Sequence, residues 1–477
     1  MDKAKDNAEI ASSNDKATSA LPNFSCRHET LGDRFFAKVS PADFPKHILR
    51  YRNQNAAKSV GLHTLSDVAW VTHFGQFTPF KGSFDQPLAL CYHGHQFGHY
   101  NPDLGDGRGF LFAQLLERDT GRLMDLGTKG SGQTPFSRTA DGKLTLKGAV
   151  REILATELLE AVNVPTSRTF SVIETGEALS RNDEPSPTRS AVLVRLSHSH
   201  IRIGSFQRLA YLDRAEDIER LLRYVVDAYY PNLDSAAALE DLIPDFLAQF
   251  SDAVAKMVAG WMVAGFVHGV LNTDNFNLTG ESFDYGPWRF LPAMDPNFTA
   301  AYFDQQSRYA YGRQAEAALW ALCRFAETLT SFVKPEILQN CLSEFYGTLE
   351  THLIDALCWR LGLAPMDGEA GSQFAANFFK LAKSEATPFD HIFHYGYGGS
   401  GFGGASRKVL SESWQALLSG HAPRQDHLHS YFDAGVSASL VIDEVERIWA
   451  EIDTHDDWTE LHKKLDHIRA YGTALRA

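Results

Sequence analysis

Cysteine is scarce in this chain of 477 residues: Cys26, Cys91, Cys323, Cys341 and Cys358 are the only five, and no two form a CxxC pair. That spacing excludes a disulfide framework and a structural zinc site, and it fits a reducing compartment. Basic charge is also short. The 45 Lys and Arg face 59 Asp and Glu, a net charge of −14. An acidic chain repels a polyphosphate backbone unless its cations are gathered locally, so nucleic acid is not an expected partner. Long apolar runs are missing as well, and no membrane association is expected. The nearest candidate, Val254 to Val270, is interrupted by Lys256, Gly260, Gly265 and His268 and reads as a buried helix. The first twenty residues have no apolar core of the kind a signal peptide needs. They carry Asp2, Asp6, Glu9 and Asp15, which a mitochondrial transit peptide avoids. Residues 1–22 are therefore expected to be a disordered tail on a cytoplasmic protein.

What is present is ordinary globular composition, 44% hydrophobic and 22% charged, at a length suited to about three folding units or one large bilobed enzyme. From Leu88 to Ile173 short apolar runs alternate with glycine clusters, whereas from Asp213 to about Leu363 the apolar spacing is helical. The expected class is α/β (α+β), sheet-rich first and helical afterwards. FLFAQLLE (Phe110 to Glu117) and RLMDLGTKG (Arg122 to Gly130) read as strands joined at Asp119-Thr120-Gly121. A helix follows, with Val150, Ile153, Leu154, Leu158, Leu159 and Val162 on one face and Pro165 beyond its end. TFSVIE and SAVLVRLS read as two more strands around a polar loop from Gly176 to Arg189.

Chemistry concentrates in four places. LGDGRG, Leu104 to Gly109, precedes a strand; its glycines, Gly105 and Gly107 among them, admit phosphate oxygens close to backbone N–H groups, and Arg108 adds a planar cation. The same string also suits a tight turn. Lys129 ends a strand, and Glu152 lies 23 residues later in the next helix, the arrangement that aims an ammonium at phosphates. An ion pair between the two is expected. In HGVLNTDNFNLTGESFDYG (His268 to Gly286), Asp274 and Asn275 occupy a polar turn after an apolar helix, and Asp284 follows after an expected pair of short strands. Asn275 and Asp284 supply the oxygens a hard cation such as Mg²⁺ takes, which leaves Asp274 free to accept a proton. Arg195 and Arg202 flank SHSHI at a strand end and could clamp a terminal phosphate.

Two other strings look functional and are read otherwise. Gly396 to Gly401 spells GxGxxG without a βαβ unit around it. His93, His95 and His99 of YHGHQFGH resemble a metal cluster, but no carboxylate is interleaved with them, and they are expected in a packed loop under the phosphate site.

The Asp274–Asp284 segment resembles the catalytic loop and DFG region of protein kinases, although no HRD precedes it and no VAIK string surrounds Lys129. YHGHQFGHYNPDLGDGRG, TKGSGQTPFSRTADGK, REILATELLEAVNVPTSR, VLVRLSHSHIRIGSFQ and HGVLNTDNFNLTGESFDYGPWRFLPAMDPNF together resemble the selenoprotein O family of protein adenylyltransferases, over roughly Tyr92 to Gly312. The resemblance implies a bilobed protein-kinase-like fold that binds ATP in a flipped orientation and transfers AMP to Ser, Thr or Tyr hydroxyls of protein substrates. It implies that Gly105, Gly107 and Arg108 line the nucleotide, with Asp141 and Gly142 as a further contacting pair. Lys129 would hold the phosphates and Glu152 would hold Lys129, while Arg195 and Arg202 would hold the inward-facing terminal phosphate. Asp274 would be the proton acceptor, and Asn275 and Asp284 the ligands of Mg²⁺, or of Mn²⁺ in its place, with Asp284 also near the nucleotide. Some members carry a redox-active C-terminal tail; this chain has no cysteine after Cys358, so such control is not expected. The segment after about Gly371 does not match the family pattern and its role is open. The expected division is a nucleotide-binding lobe over 23–212, a helical lobe with the catalytic loop over 213–370, and a helical C-terminal extension over 371–477. Composition and spacing alone leave open a kinase acting on the γ-phosphate, or a nucleotide-binding regulatory module without turnover.

Overall fold

The computed structural model describes residues 22–182, 184–401, 409–425, 427, 429–433 and 436–477, so all but the last residue of the expected tail lies outside the described residues. Strands β1 (Phe24–Ser25), β2 (Phe36–Lys38) and β3 (Ile48–Arg52) lead into two short helices, α1 (Gln54–Ser59) and α2 (Asp67–Phe74). Strand β4 (Leu88–Leu90) precedes a small hairpin of β5 (Gly94–Gln96) and β6 (His99–Asn101), then β7 (Leu111–Leu116) and β8 (Leu123–Lys129). After β9 (Leu144–Thr145) come α3 (Leu146–Ala161), β10 (Arg168–Leu179) and β11 (Thr188–Ser197). One antiparallel sheet runs in the order β2-β4-β7-β8-β11-β10-β3, with β1 beside β7 and β9 beside β11.

Strands β8 and β11 sit at the middle of this sheet and are buried on both faces, which is why they read as nearly continuous apolar runs. One face packs on α3, whose Val150, Ile153, Leu154, Leu158 and Leu159 are all buried. The other face is closed by α1 and α2, where Trp70 stacks on Phe170 and Phe74 meets Phe112 and Phe170 edge-on. These two helices were not expected, since six and eight residues are too few for a 3.6 period to show. Their starts are set by Asn53 and Ser66, whose side chains accept the N–H of Ala56 and Ala69. The polar loop is shorter than expected. Strand β10 continues to Leu179 and β11 begins at Thr188, because Ala178 and Leu179 still pair with Arg189 and Thr188 past an irregularity at Gly176.

The rest of the chain is mostly helical: α4 (Ile203–Tyr211), α5 (Ala215–Tyr229), α6 (Leu239–Ala264), α7 (Gln314–Ala326), α8 (Pro335–Ser343), α9 (Phe345–Leu361), α10 (Gly368–Glu385), α11 (Phe389–Tyr395), α12 (Glu412–Ser419), α13 (Ile442–His455) and α14 (Thr459–Arg476). Helix α6 stops six residues short of the expected Val270. Gly265 turns left-handed at φ 69°, and a Cβ there would lie 2.5 Å from the Phe389 ring, so the chain reverses into β12 (Phe266–Val267), which pairs with β13 (Arg289–Phe290). The two short strands expected between Asn275 and Asp284 do not form. Only isolated bridges, Arg202 with Asn277 and Thr166 with Ser282, occur there, because the Thr279 N–H goes to Asn277 Oδ1 and the Gly280 N–H to Asn277 O, a turn in place of a ladder.

The C-terminal helices return to the sheet. Arg469 of α14 grips Glu157 of α3 with two nitrogens, at 2.8 and 3.0 Å, and Tyr51 of β3 donates to the same carboxylate at 2.5 Å. Arg50 and Arg189 bind Glu174 and Asp456 beside it. At the crossing, Gly472 lies so close to Ala161 that a Cβ would stand 3.0 Å from it.

Arg469→Ala leaves the buried Glu157 carboxylate with only Tyr51 and Asn53, and is expected to cost about 1 to 3 kcal/mol, discounted for the partial exposure of the arginine. Urea denaturation measures it, with Arg469→Lys recovering only part, since lysine cannot make the two-pronged contact. An unchanged unfolding midpoint would mean that α14 does not brace α3.

Candidate active site

The site grows from strand register. Side chains two apart on a strand share a face, so Lys129 and Gly127 of β8 point the same way, and Arg195 of β11 stands opposite Gly127 on that face. Helix α3 covers this face and brings Glu152 in. Lys129 Nζ lies 2.8 Å from Glu152 Oε2 and 2.9 Å from Asp284 Oδ1, with both Lys129 and Glu152 fully buried. Arg195 Nη2 approaches the same Asp284 oxygen at 3.5 Å, and its Nε stands 4.0 Å from Glu152 Oε1. Burial alone would raise the Asp284 carboxyl, but the charges of Lys129, Arg195, Arg108 and Arg202 overcome it and hold the group well below the usual aspartate range. Asp284 also adopts a left-handed backbone, φ 63°, uncommon for a residue with a side chain.

Asp274 and Asn275 lie on a 3-10 turn, Thr273–Asn275, nine residues beyond the end of α6 rather than directly after it. Arg202, at the N-cap of α4, donates to Asp274 O at 3.2 Å, pairs with Asp106 at 3.5 Å, and stacks over Tyr92 and Phe283 with its guanidinium carbon 4.2 and 4.9 Å from the ring centres. Burial pushes the Asp274 carboxyl up to about 6, and the Arg202 charge opposes that. Asn275 Nδ2 donates to Val270 O at 2.9 Å, so its Oδ1 is the atom not used by that bond.

Four buried polar atoms here have no hydrogen-bond partner: Arg195 Nε and Nη1, Glu152 Oε1 and Asp274 Oδ1. Buried donors and acceptors left unmade cost free energy, unlike the satisfied polar groups of an ordinary interior.

The remaining expected residues are placed as follows. Gly105 and Gly107 are needed by packing: a Cβ at either would fall 2.4 Å from the Phe136 ring or 2.8 Å from Phe136 O, so the Leu104–Gly109 loop and the 131–142 loop lie stacked. Arg108 is exposed, and its charge reaches Asp284. Asp141 is not in the cluster. It is paired with Arg181 at 2.8 Å on a half-exposed rim and accepts the Lys143 N–H, while Gly142 turns left-handed against Gly132. Among the described residues no group of three or more His, Cys, Asp or Glu could hold a metal ion. Asn275 and Asp284 nonetheless offer the all-oxygen donors of a hard cation that keeps its waters and phosphate ligands. In the GxGxxG string, Gly396 caps α11 and Gly399 packs against His421 O and Leu363, with no nucleotide-binding turn.

Sequence reasoning missed Asp106, Tyr92, Phe283 and Thr273. Asp106 sat inside the quoted LGDGRG, and its acidity amid glycines and an arginine was the available signal. Nothing local marked the aromatic pair that sandwiches Arg202.

A buried strand lysine paired to a helix glutamate, with an aspartate-asparagine turn and a second aspartate beside them, defines a kinase-like nucleotide-handling enzyme. The chain belongs to the SelO family: the family model described as "Protein adenylyltransferase SelO" matches residues 20–397. That is a wider span than the motifs from Tyr92 to Gly312 suggested. It is 47% identical over 346 residues to a Synechocystis protein nucleotidyltransferase YdiU, covering 72% of this chain and 71% of that one. With the Gloeobacter violaceus protein of the same name the identity is 40% over 92% of this chain and 93% of the relative, a span that runs well past Gly371. The Synechococcus elongatus protein of that name is 52% identical over 289 residues, 60% of this chain and 57% of its own. The C-terminal segment thus has counterparts in the family. Among solved structures, a rhoptry antigen kinase domain of Toxoplasma gondii aligns at 11% identity and a TM-score of 0.27, over 62% of this chain and 84% of that one. No helix among the described residues is long and apolar enough to cross a membrane.

The Asp274 shift carries a sign. In the protein free of metal and nucleotide, an aspartate raised from 3.8 to about 6 favours folding only while protonated; that contribution is complete below about pH 3.8 and is lost as pH rises through about 6. Asp274→Asn is therefore expected to melt about 2 to 5 °C above wild type at pH 8 and to differ little at pH 4, by scanning calorimetry. An equal difference at both pH values would remove burial of the charge as the cause.

Proposed function

We propose that this protein adenylyltransferase moves AMP from ATP onto a Ser, Thr or Tyr hydroxyl of a protein, with Asp274 taking the hydroxyl proton. The hydroxyl oxygen bonds to the α-phosphorus, the bond from that phosphorus to the oxygen bridging to the β-phosphate breaks, and pyrophosphate leaves. Lys129, oriented by Glu152, lies on the phosphates, and Arg195 and Arg202 hold the terminal one. Gly105, Gly107 and Arg108 line the nucleotide, and Asp141 with Gly142 lies at its outer edge. Asn275 and Asp284 would hold Mg²⁺, or Mn²⁺ in its place, which supplies neutralisation of phosphate charge. Asp284 would give up part of its pairing with Lys129 and Arg195 for that role.

One observation carries the reading: the unpartnered buried N–H groups of Arg195 and the unpartnered Asp274 Oδ1 belong to one cluster around Lys129, Arg202 and Asp284. Guanidinium donors suit phosphate oxygens, and a raised carboxyl suits proton acceptance near neutral pH. We assign nucleotide binding to residues 23–212, the catalytic loop to 213–370 and a bracing role to 371–477. Five free cysteines suit the cytoplasm.

Parallel incubations with α-labelled and γ-labelled ATP test the chemistry. Label is expected in protein from the α-position only, and none with Asp284→Ala, whose affinity for Mg·ATP by titration calorimetry should be lost. Asp274→Ala should retain ATP binding and slow transfer about 10² to 10⁴-fold. Protein labelled only from γ-labelled ATP would make the enzyme a kinase.

A further inference from the structure

The histidines of YHGHQFGH are unused by the reading above, and the structure places them against the catalytic loop. The β5–β6 hairpin lies over the turn that carries Asp274, so closely that a Cβ on Gly94 would stand 3.1 Å from both Thr273 Oγ1 and Asp274 Oδ1. His95 N–H donates to Thr273 Oγ1 at 2.7 Å, Thr273 Oγ1 donates to Gln207 Oε1 at 2.6 Å, and Gln207 Nε2 lies 2.8 Å from His95 Nδ1. Thr273 and Gln207 are buried. The three residues close a ring through strand β5, the catalytic turn and helix α4.

The donors follow from the orientation of the Gln207 amide. With Oε1 toward Thr273, the hydroxyl accepts from the His95 backbone and gives its own proton to that oxygen. Nε2 then faces His95, and an amide NH₂ can only donate, so His95 Nδ1 is a bare acceptor with the ring proton on Nε2. A second chain backs the first: His93 Nδ1 meets Tyr100 Oη at 2.8 Å, and Tyr100 Oη donates to Gln207 O at 3.2 Å. On the other side of the turn, Asn272 Oδ1 accepts from Phe97 N–H and Tyr309 Oη. Burial first, and then the charge of Arg324, lower the His95 imidazole below its ordinary range against the opposing hydrogen bond with Gln207.

We propose that His95, Gln207 and Thr273 are positioning residues: their ring, with His95 in its Nε2–H tautomer, holds the catalytic turn so that the Asp274 carboxylate faces the acceptor hydroxyl. This rests on Asp274 being the proton acceptor. A general base displaced by about 1 Å forfeits much of its effect without any change in nucleotide contacts.

The test uses the full chain, α-labelled ATP and a mixed Ser/Thr/Tyr peptide library as acceptor. Thr273→Val and Gln207→Leu are expected to lower kcat about 10- to 100-fold while KM for ATP and the melting temperature stay near wild type. Thr273→Ser and His95→Asn, which keep the hydroxyl and an acceptor facing Gln207, should recover most of the rate. Nitrogen-15 spectra of histidine-labelled wild type should show His95 neutral with its proton on Nε2. Asp274→Asn runs alongside. If it alone is inactive while Thr273→Val and Gln207→Leu match wild type, the ring inference falls and the base assignment stands; if Asp274→Asn is fully active, the base assignment falls and takes this inference with it. A proton on His95 Nδ1, or a loss of ATP affinity and stability that parallels the loss of rate, would also overturn the ring.

Discussion

A buried ammonium is the constraint on which this structure turns. Removing a charge from water costs several kcal/mol unless an opposite charge meets it in good geometry, and Lys129 has almost no exposed surface. Its two partners come from different parts of the molecule: Glu152 from the helix laid on the sheet, Asp284 from the segment beyond the Thr273–Asn275 turn. Satisfying one lysine therefore requires α3 to sit over β8 and the helical region to bring Asp284 against the sheet. The left-handed backbone at Asp284 is held by the same contacts that need it.

From that cluster the supports run outward in two directions. Glu157, one and a half turns along α3 from Glu152, is gripped by Arg469 of the last helix, so the C-terminal segment is bonded to the same helix that pairs with the lysine. On the far side, Arg202 spans the Asp274 carbonyl and Asp106 between two aromatic rings, and the histidine hairpin clasps the turn. The residues of the central cluster are thus few, while the residues that brace them are many and lie far apart in the chain. Arg195, Glu152 and Asp274, at the centre, each keep buried polar atoms without a hydrogen-bond partner.

Much of the fold was legible because its signals are local. The runs at Phe110–Glu117 and Arg122–Gly130 and the stripe through Val150 to Val162 are periodic over enough residues to declare strand or helix, and the structure has strands and a helix there. Where the signal was ambiguous the reading slipped. Val254 to Val270 is mostly apolar, so periodicity could not see the break at Gly265, a left-handed cap where only a residue without a Cβ fits against Phe389 of another helix. Short elements such as α1, α2 and the strands before β7 carry too few residues for a period. The pair of short strands expected before Asp284 gave way to a turn in which Asn277 Oδ1 and O take the Thr279 and Gly280 N–H groups.

The chain's own residues determined which chemistries it could hold: a strand lysine, a helix glutamate, an aspartate-asparagine pair, two arginines around SHSHI and too few cysteines for a disulfide scaffold. Each of those is a matter of residue type and short spacing. The tertiary structure alone decided what they bind to. The ring of His95, Gln207 and Thr273 joins positions 66 to 178 residues apart, and the Arg469–Glu157 grip joins positions 312 apart. Hydrogen bonds and ion pairs act over about 3 Å, and no pattern in a sequence says which distant side chains the folded backbone will bring within that reach.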